Sequence, residues 1–156
     1  MAGITPKAKN HEGLDATASR FVDVDGLAWE QSRFPGVETK TLFIDRQSGA
    51  VTALIRMAPG ARLPDHEHPL TEQSFVLEGV LADDDGECGA GDFVWRPPGS
   101  RHQAWSPDGC LVLGIFQVPN KFFEQDGKVT DIIEQEWDQA WGGAGNLRAA
   151  GSRQDG

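Results

Sequence analysis

Cysteine is scarce in this chain: Cys88 and Cys110 are the two it has, and they form no CxxC pair. That excludes a disulfide framework and a thiolate zinc finger, and leaves two reduced thiols. Tyrosine is absent, so the aromatic content rests on eight Phe and five Trp. Positive charge is also short, with 14 Lys and Arg against 24 Asp and Glu and a net charge of −10. A surface of that sign repels nucleic acid and anionic membrane, so neither is expected as a partner. No apolar run approaches the ~18 residues of a membrane span. The opening MAGITPKAKNHEG has no apolar segment of the secretory kind, which predicts a cytoplasmic protein. Phosphate-loop, dinucleotide and serine–histidine–acid signatures are missing as well.

What the chain does contain points to strands. Its 156 residues suit one domain with a real core, and 38% of them are hydrophobic. Nineteen Gly and nine Pro supply many turns, which favours an all-β fold. Residues 1–36 are polar and irregular and read as an N-terminal arm. From Lys40 to about residue 123, short β-type runs alternate with turn residues: TLFID, AVTALIRM, SFVLEGVLADDDGEC as two strands about an acidic turn at Asp83 to Gly86, FVWR, RHQAWS and CLVLGIFQV. About eight strands punctuated this regularly predict a sandwich or small barrel. In the extension 124–141, Ile132, Ile133, Glu136, Trp137, Ala140 and Trp141 fall at helical spacing and predict a short amphipathic helix. Its tryptophans would pack on the barrel or on a partner subunit. Residues 142–156, GGAGNLRAAGSRQDG, have nothing to bury and read as a disordered tail.

Chemistry concentrates in PDHEHPLTEQSFVLEG, residues 64–79. Side chains alternate along a strand, so His66 and His68 point the same way and can bite one cation. Pro69 interrupts the strand, and a bend there is needed to bring Glu72 back as a third donor. His102, after the Pro-Pro-Gly turn of RPPGSRH, can reach the same cavity from a neighbouring hairpin. Taken one at a time, each of these is also compatible with an ordinary solvent-facing side chain.

Together they resemble the two-part motif of the cupin superfamily, the RmlC-like jelly-roll barrels. The first part is matched at every fixed position by Gly60, His66, His68, Glu72 and Gly79. The second is matched by Gly91, Pro97, Gly99 and His102, and departs only where Ser106 stands in place of asparagine. The resemblance implies a single-domain jelly-roll barrel over about residues 38–120 that holds one divalent metal on His66, His68, Glu72 and His102. It also implies sharp turns at Gly60, Gly79, Gly91 and Gly99, positions that favour positive φ.

Within that superfamily, PGARLPDHEH, VLEGVLADDDGECGAGDFVWRPPGSRH and SPDGCLVLG look most like the cupin domain of the ChrR-type anti-sigma factors. There the cupin follows a zinc domain that grips the sigma factor. Residues 1–36 here have one histidine, His11, and no cysteine, so sigma binding is not carried over. A looser resemblance runs to cupins that cleave diketone-like substrates with Fe(II) and oxygen.

Three imidazoles and a carboxylate suit Fe, Zn, Mn or Ni. In a six-coordinate ion, four protein ligands leave two positions, enough for a bidentate substrate or for substrate and oxygen. The leading expectation is an Fe(II)-type oxygenase acting on a small organic molecule. The alternatives are a non-catalytic ChrR-like sensor or regulatory module, and a non-oxidative enzyme such as an isomerase. Any of Arg56, Arg62, Arg96 and Arg101 could face an anionic substrate, although charges on strands usually sit on the solvated face. Phe93, Trp95 and Trp105 read as pocket lining or sheet cover, and DDDGE as a solvated turn rather than a calcium loop. A homodimer is expected, because open barrel edges and an N-terminal arm commonly pair.

Overall fold

Alternation decides most of the strands in the computed structural model, which describes residues 3–123. In Val51–Met57, the residues Val51, Ala53, Ile55 and Met57 are buried while Thr52 and Arg56 face outward. Cys110–Phe116 does the same with Cys110, Val112 and Phe116 inside. Eleven strands result: β1 (Gly3–Ile4), β2 (Glu30–Gln31), β3 (Val37–Asp45), β4 (Val51–Met57), β5 (Arg62–His68), β6 (Glu72–Asp83), β7 (Gly86–Gly89), β8 (Phe93–Arg96), β9 (Ser100–Trp105), β10 (Cys110–Phe116) and β11 (Lys121–Phe122). Every pairing is antiparallel. No helix occurs among the described residues, and the helix expected over 124–141 and the tail after it lie outside them.

One curled sheet runs β3-β4-β10-β6-β8 and a second runs β6-β9-β5-β11. Strand β6 belongs to both. Its first half, from Glu72, pairs with β10 and β8. Its second half pairs with β7 and, through Ala82 and Asp83, with β9. The two inner faces enclose one apolar core that includes Val37, Ile55, Val76, Val112, Phe116 and Phe122. This is the expected all-β, single-domain barrel.

The change of sheet happens at Gly79. Expected at a hairpin, it sits instead in mid-strand with φ of 72°. A Cβ there would lie 2.0 Å from the Gly109 carbonyl oxygen, so the bend requires a residue with no side chain. Left-handed backbone costs an L-residue about 1–2 kcal/mol and overpacking about 1–3 kcal/mol more. Gly79→Ala is therefore expected to destabilise by roughly 2–5 kcal/mol, read as a lower urea midpoint at unchanged m-value. A wild-type midpoint would rule out the corner role.

The N-terminal segment is less irregular than its composition suggests. Strands β1 and β2 both lie along β3, pairing Ile4 with Ile44 and Gln31 with Glu38. Trp29 stacks between the charged ends of Arg56 and Lys40, 4.0 and 4.9 Å from its ring centre. Lys40 also donates to the Val24 carbonyl at 2.8 Å. An unpaired sheet edge is a hazard in water, and this segment covers the edge of β3.

Candidate metal centre

Strand pairing alone brings three histidines together. His66 on β5 lies directly opposite His102 on β9, so the two rings project to one side, and His68 two residues on shares that face. The turn Pro97-Pro98-Gly99 sets the start of β9, with the Gly99 amide donating to the His68 carbonyl at 2.7 Å. The ring centres form a triangle with sides of 4.9, 4.7 and 5.1 Å. One nitrogen from each ring lies within 4.8 Å of the other two, and all three residues are buried.

Two of the rings have their orientation set from behind. His66 Nδ1 donates to the Pro64 carbonyl at 2.8 Å, and His102 Nδ1 donates to Asp83 Oδ2 at 3.1 Å. Both therefore present a bare Nε2 to the interior. His68 Nε2 sits 3.0 Å from that of His102. Glu72 Oε2 lies 2.9 Å from His68 Nδ1, off the direction in which a ring N–H would point. That nitrogen has no hydrogen-bond partner among the described residues. A single proton on His68 can satisfy only one neighbour and sets a lone pair against the other. A cation shared by the rings removes the conflict. Donors bonded to one ion at about 2.0–2.1 Å stand roughly 2.9–3.4 Å apart, the spacing of the His68 and His102 nitrogens. The residues present fit a transition metal.

Glu72 reaches the site from the other side of the Pro69 bend. It flanks the imidazole triangle at His68, and Ser74 Oγ donates to its second oxygen at 2.9 Å. Burial opposes its charge, but the adjacent His68 and the Arg96 guanidinium outweigh that and hold the carboxyl at about 2. Burial, then the neighbouring His68, pushes His66 down to about 3. His102 is lowered by burial and by Arg96. Glu72 and His66 thus stay unprotonated well into acid, which favours a metal over protons at those two donors.

Three further residues surround the site; the sequence pattern points only to Arg96 among them, as one of four arginines that could face a substrate. Asp83, read as part of a solvated turn, does two jobs. Its Oδ1 accepts the amides of Asp85 and Gly86 at 2.8 and 3.2 Å, while Oδ2 takes His102 and Arg96, the latter at 3.0 Å. Arg96 faces inward and is only 7% exposed, with Nη1 3.7 Å from Glu72 Oε2. Asn120, 2% exposed, lines the same small cavity as His66, His102, Glu72 and Arg96, whose volume is ≈ 30 Å³. Apart from Ser74, the other walls are apolar. Of the remaining arginines, Arg56 pairs with Glu38, Arg101 with Asp65, and Arg62 lies over Trp105.

The model of the ChrR cupin-like domain family matches residues 17–118. The chain belongs to that family. The match begins within the N-terminal segment, which agrees with the way this segment lies along β3. Among solved structures, the ChrR-like cupin resembles an acetylacetone dioxygenase from Acinetobacter johnsonii, with a TM-score of 0.69 and 19% identity over 87% of this chain and 95% of that one. It also resembles a chain of the Rhodobacter sphaeroides complex of SigE with the anti-sigma ChrR, with a TM-score of 0.52 and 24% identity over 60% of this chain and 50% of that one. The polyketide cyclase RemF from Streptomyces resistomycificus gives a TM-score of 0.55 and 20% identity over 78% and 92%. At these identities the likeness establishes the fold. No functionally curated protein matches the sequence.

Proposed function

We propose that this ChrR-like cupin is a mononuclear metal-dependent oxygenase, an oxidoreductase that acts on a small organic molecule inside the barrel. His66, His68, Glu72 and His102 hold the metal. The observation that carries the reading is the buried three-histidine cluster with Glu72 beside His68, of which His66, His102 and Glu72 line a cavity whose remaining walls are mostly apolar, including Ile55, Leu63, Val112 and Phe116. Such walls exclude water and admit a hydrocarbon body, while Asp83 and the Pro64 carbonyl fix the rings that face it. Iron(II), when bound, supplies the redox step needed for oxygen to enter a carbon–carbon bond. Zinc on the same donors supplies only a Lewis acid. The likeness to an acetylacetone dioxygenase makes diketones the first substrates to try. Reconstitution with Fe(II) without air, followed by oxygen uptake against diketones and aromatic ketones, tests the reading. Absence of uptake with every metal would refute it.

A second reading is favoured by the family itself. ChrR is an anti-sigma factor seen in complex with SigE, so a non-catalytic sensor or regulatory module is the rival. It requires tight zinc, no turnover, and recovery of a regulator when the zinc protein is used as bait.

The chain acts as a cytoplasmic homodimer in this proposal. The edge of β3 is covered by the chain's own N-terminal segment, so the support comes from a sheet face instead. On the outer side of β8, β6 and β10, Trp95 and Phe93 are 58% and 52% exposed, beside the exposed Phe75, Leu77 and Ile115. An uncharged apolar face of this kind marks an interface. Trp95→Glu is expected to convert a dimer to a monomer in light scattering; a monomeric wild type would end the proposal. Both thiols are free and buried, consistent with a reducing compartment.

A further inference from the structure

We infer that Arg96 is a ligand-binding residue, and that the metal-loaded site selects a small monoanion that presents an oxygen, a carboxylate or an enolate. This rests on the metal-binding part of the proposed function and deepens it by naming the class of molecule the site takes.

Charge is the first ground. The buried cluster contains two carboxylates, Glu72 and Asp83, and one guanidinium, Arg96, joined by contacts of 3.7 and 3.0 Å. Imidazoles that bind a metal are neutral, so the empty cluster has one surplus negative charge. A divalent cation reverses that to one surplus positive charge inside an apolar barrel. Uncompensated buried charge is costly, and a ligand with a single negative charge cancels it. A neutral ligand does not, and a dianion overshoots.

The second ground is unused bonding capacity. Arg96 Nε and Asn120 Oδ1 are buried and have no hydrogen-bond partner among the described residues, which buried polar atoms rarely tolerate. Both residues line the ≈ 30 Å³ cavity beside His66 and His102. A charged N–H donor aimed at an anionic oxygen is among the stronger hydrogen bonds available to a protein. The Asn120 carbonyl oxygen is an acceptor, so it serves only a ligand that carries a hydroxyl or other donor beside its anionic oxygen.

Third, Arg96 stands at a boundary. With Leu81 and His102 it lines both the inner cavity and a groove of ≈ 550 Å³ on the outer side. The groove is also lined by Asp85, Glu87 and Asp92. These carboxylates repel phosphates and other polyanions on approach, and solvent weakens their effect on a single charge. The inner cavity admits an oxygen-bearing head, and the bulk of a larger molecule has room only in the groove.

The test uses protein loaded with Zn(II), which prevents turnover, with metal content measured first. Calorimetry then compares acetylacetonate, isobutyrate, the neutral isobutyramide and inorganic phosphate. Acetylacetonate or isobutyrate should bind at least about tenfold more tightly than the amide, as expected for one charged hydrogen bond, and phosphate should bind no better than the amide. Arg96→Gln should remove that advantage at full metal content. Arg96→Lys, which keeps the charge, should retain a preference for the monoanion, a result a purely structural role would not give. If Arg96→Gln fails to fold, Arg96→Lys decides: at full metal content it should bind the preferred monoanion more weakly than wild type.

Equal affinity for anion and amide overturns the inference, as does undiminished binding in the folded Arg96 variants or a protein that takes no metal. Preference for acetylacetonate over isobutyrate identifies an enolate ligand, and the reverse identifies a carboxylic acid. Failure of oxygen uptake with intact anion binding removes the oxygenase and leaves the anion site. Uptake without anion preference removes the site and leaves the oxygenase.

Discussion

Replacing His66 and His68 together with alanine is expected to abolish metal binding. The two residues supply two of the three imidazoles in the triangle, and the partners left behind, His102 and Glu72, approach from different strands. Loss of an outer partner that merely orients a ligand costs about 10–100-fold in metal affinity, and loss of two ligands must exceed that. Competition against a chromophoric chelator measures it. Alanine for Asp83 should fall in the smaller range, because it frees His102 to rotate but removes no donor nitrogen. The double variant needs a circular dichroism control, since both rings are buried among core side chains. A folded double variant with a full metal complement would dismantle the site assignment, and with it the proposed chemistry.

The three clustered histidines and the neighbouring Glu72 were legible because their information is local. His66, His68 and Glu72 lie within one strand, one bend and the next strand start, and His102 follows a turn whose prolines and glycine mark it. Long strands with clean alternation, β4 and β10 above all, were legible for the same reason. The three strands of two residues, β1, β2 and β11, have no pattern of their own and exist through their neighbours. The role of Asp83, and the choice of Arg96 among four candidate arginines, were beyond reach for a different reason. Whether Asp83 turns outward or meets His102 depends on β6 changing sheets at Gly79 and on its register against β9. Arg96 faces inward because it pairs with Glu72 across β6 and β8. A charged residue inside a barrel contradicts the usual outward placement, and only the paired carboxylates around it make that placement tolerable.

The same buried groups should make the metal-free protein acid-labile in a defined window. His66 has an ordinary value of 6.5 and is held near about 3 in the fold. Between those values the unfolded chain binds a proton that the folded one refuses. Stability therefore rises with pH across the window, is complete above it, and is lost as pH falls. Glu72 moves from 4.5 to about 2, so its contribution is present above 4.5 and is lost on the way down to about 2. One proton difference gives a slope of about 1.4 kcal/mol per pH unit, and two give about 2.7 where the windows overlap. Asp45, Asp65 and Asp83, all lowered from 3.8, steepen the loss at the acid end. Urea midpoints of the metal-free protein should already fall between about pH 6.5 and pH 5, above the range of any carboxylate. That early loss belongs to imidazole. His66→Leu, which fills the space with an apolar side chain, should reduce it, leaving the part due to His102 and the carboxylate-driven loss below pH 4.5 in place. If the variant loses stability over the upper range as steeply as wild type, burial of His66 is not the cause. His102, also lowered from 6.5 by burial and by Arg96, would then be the group responsible.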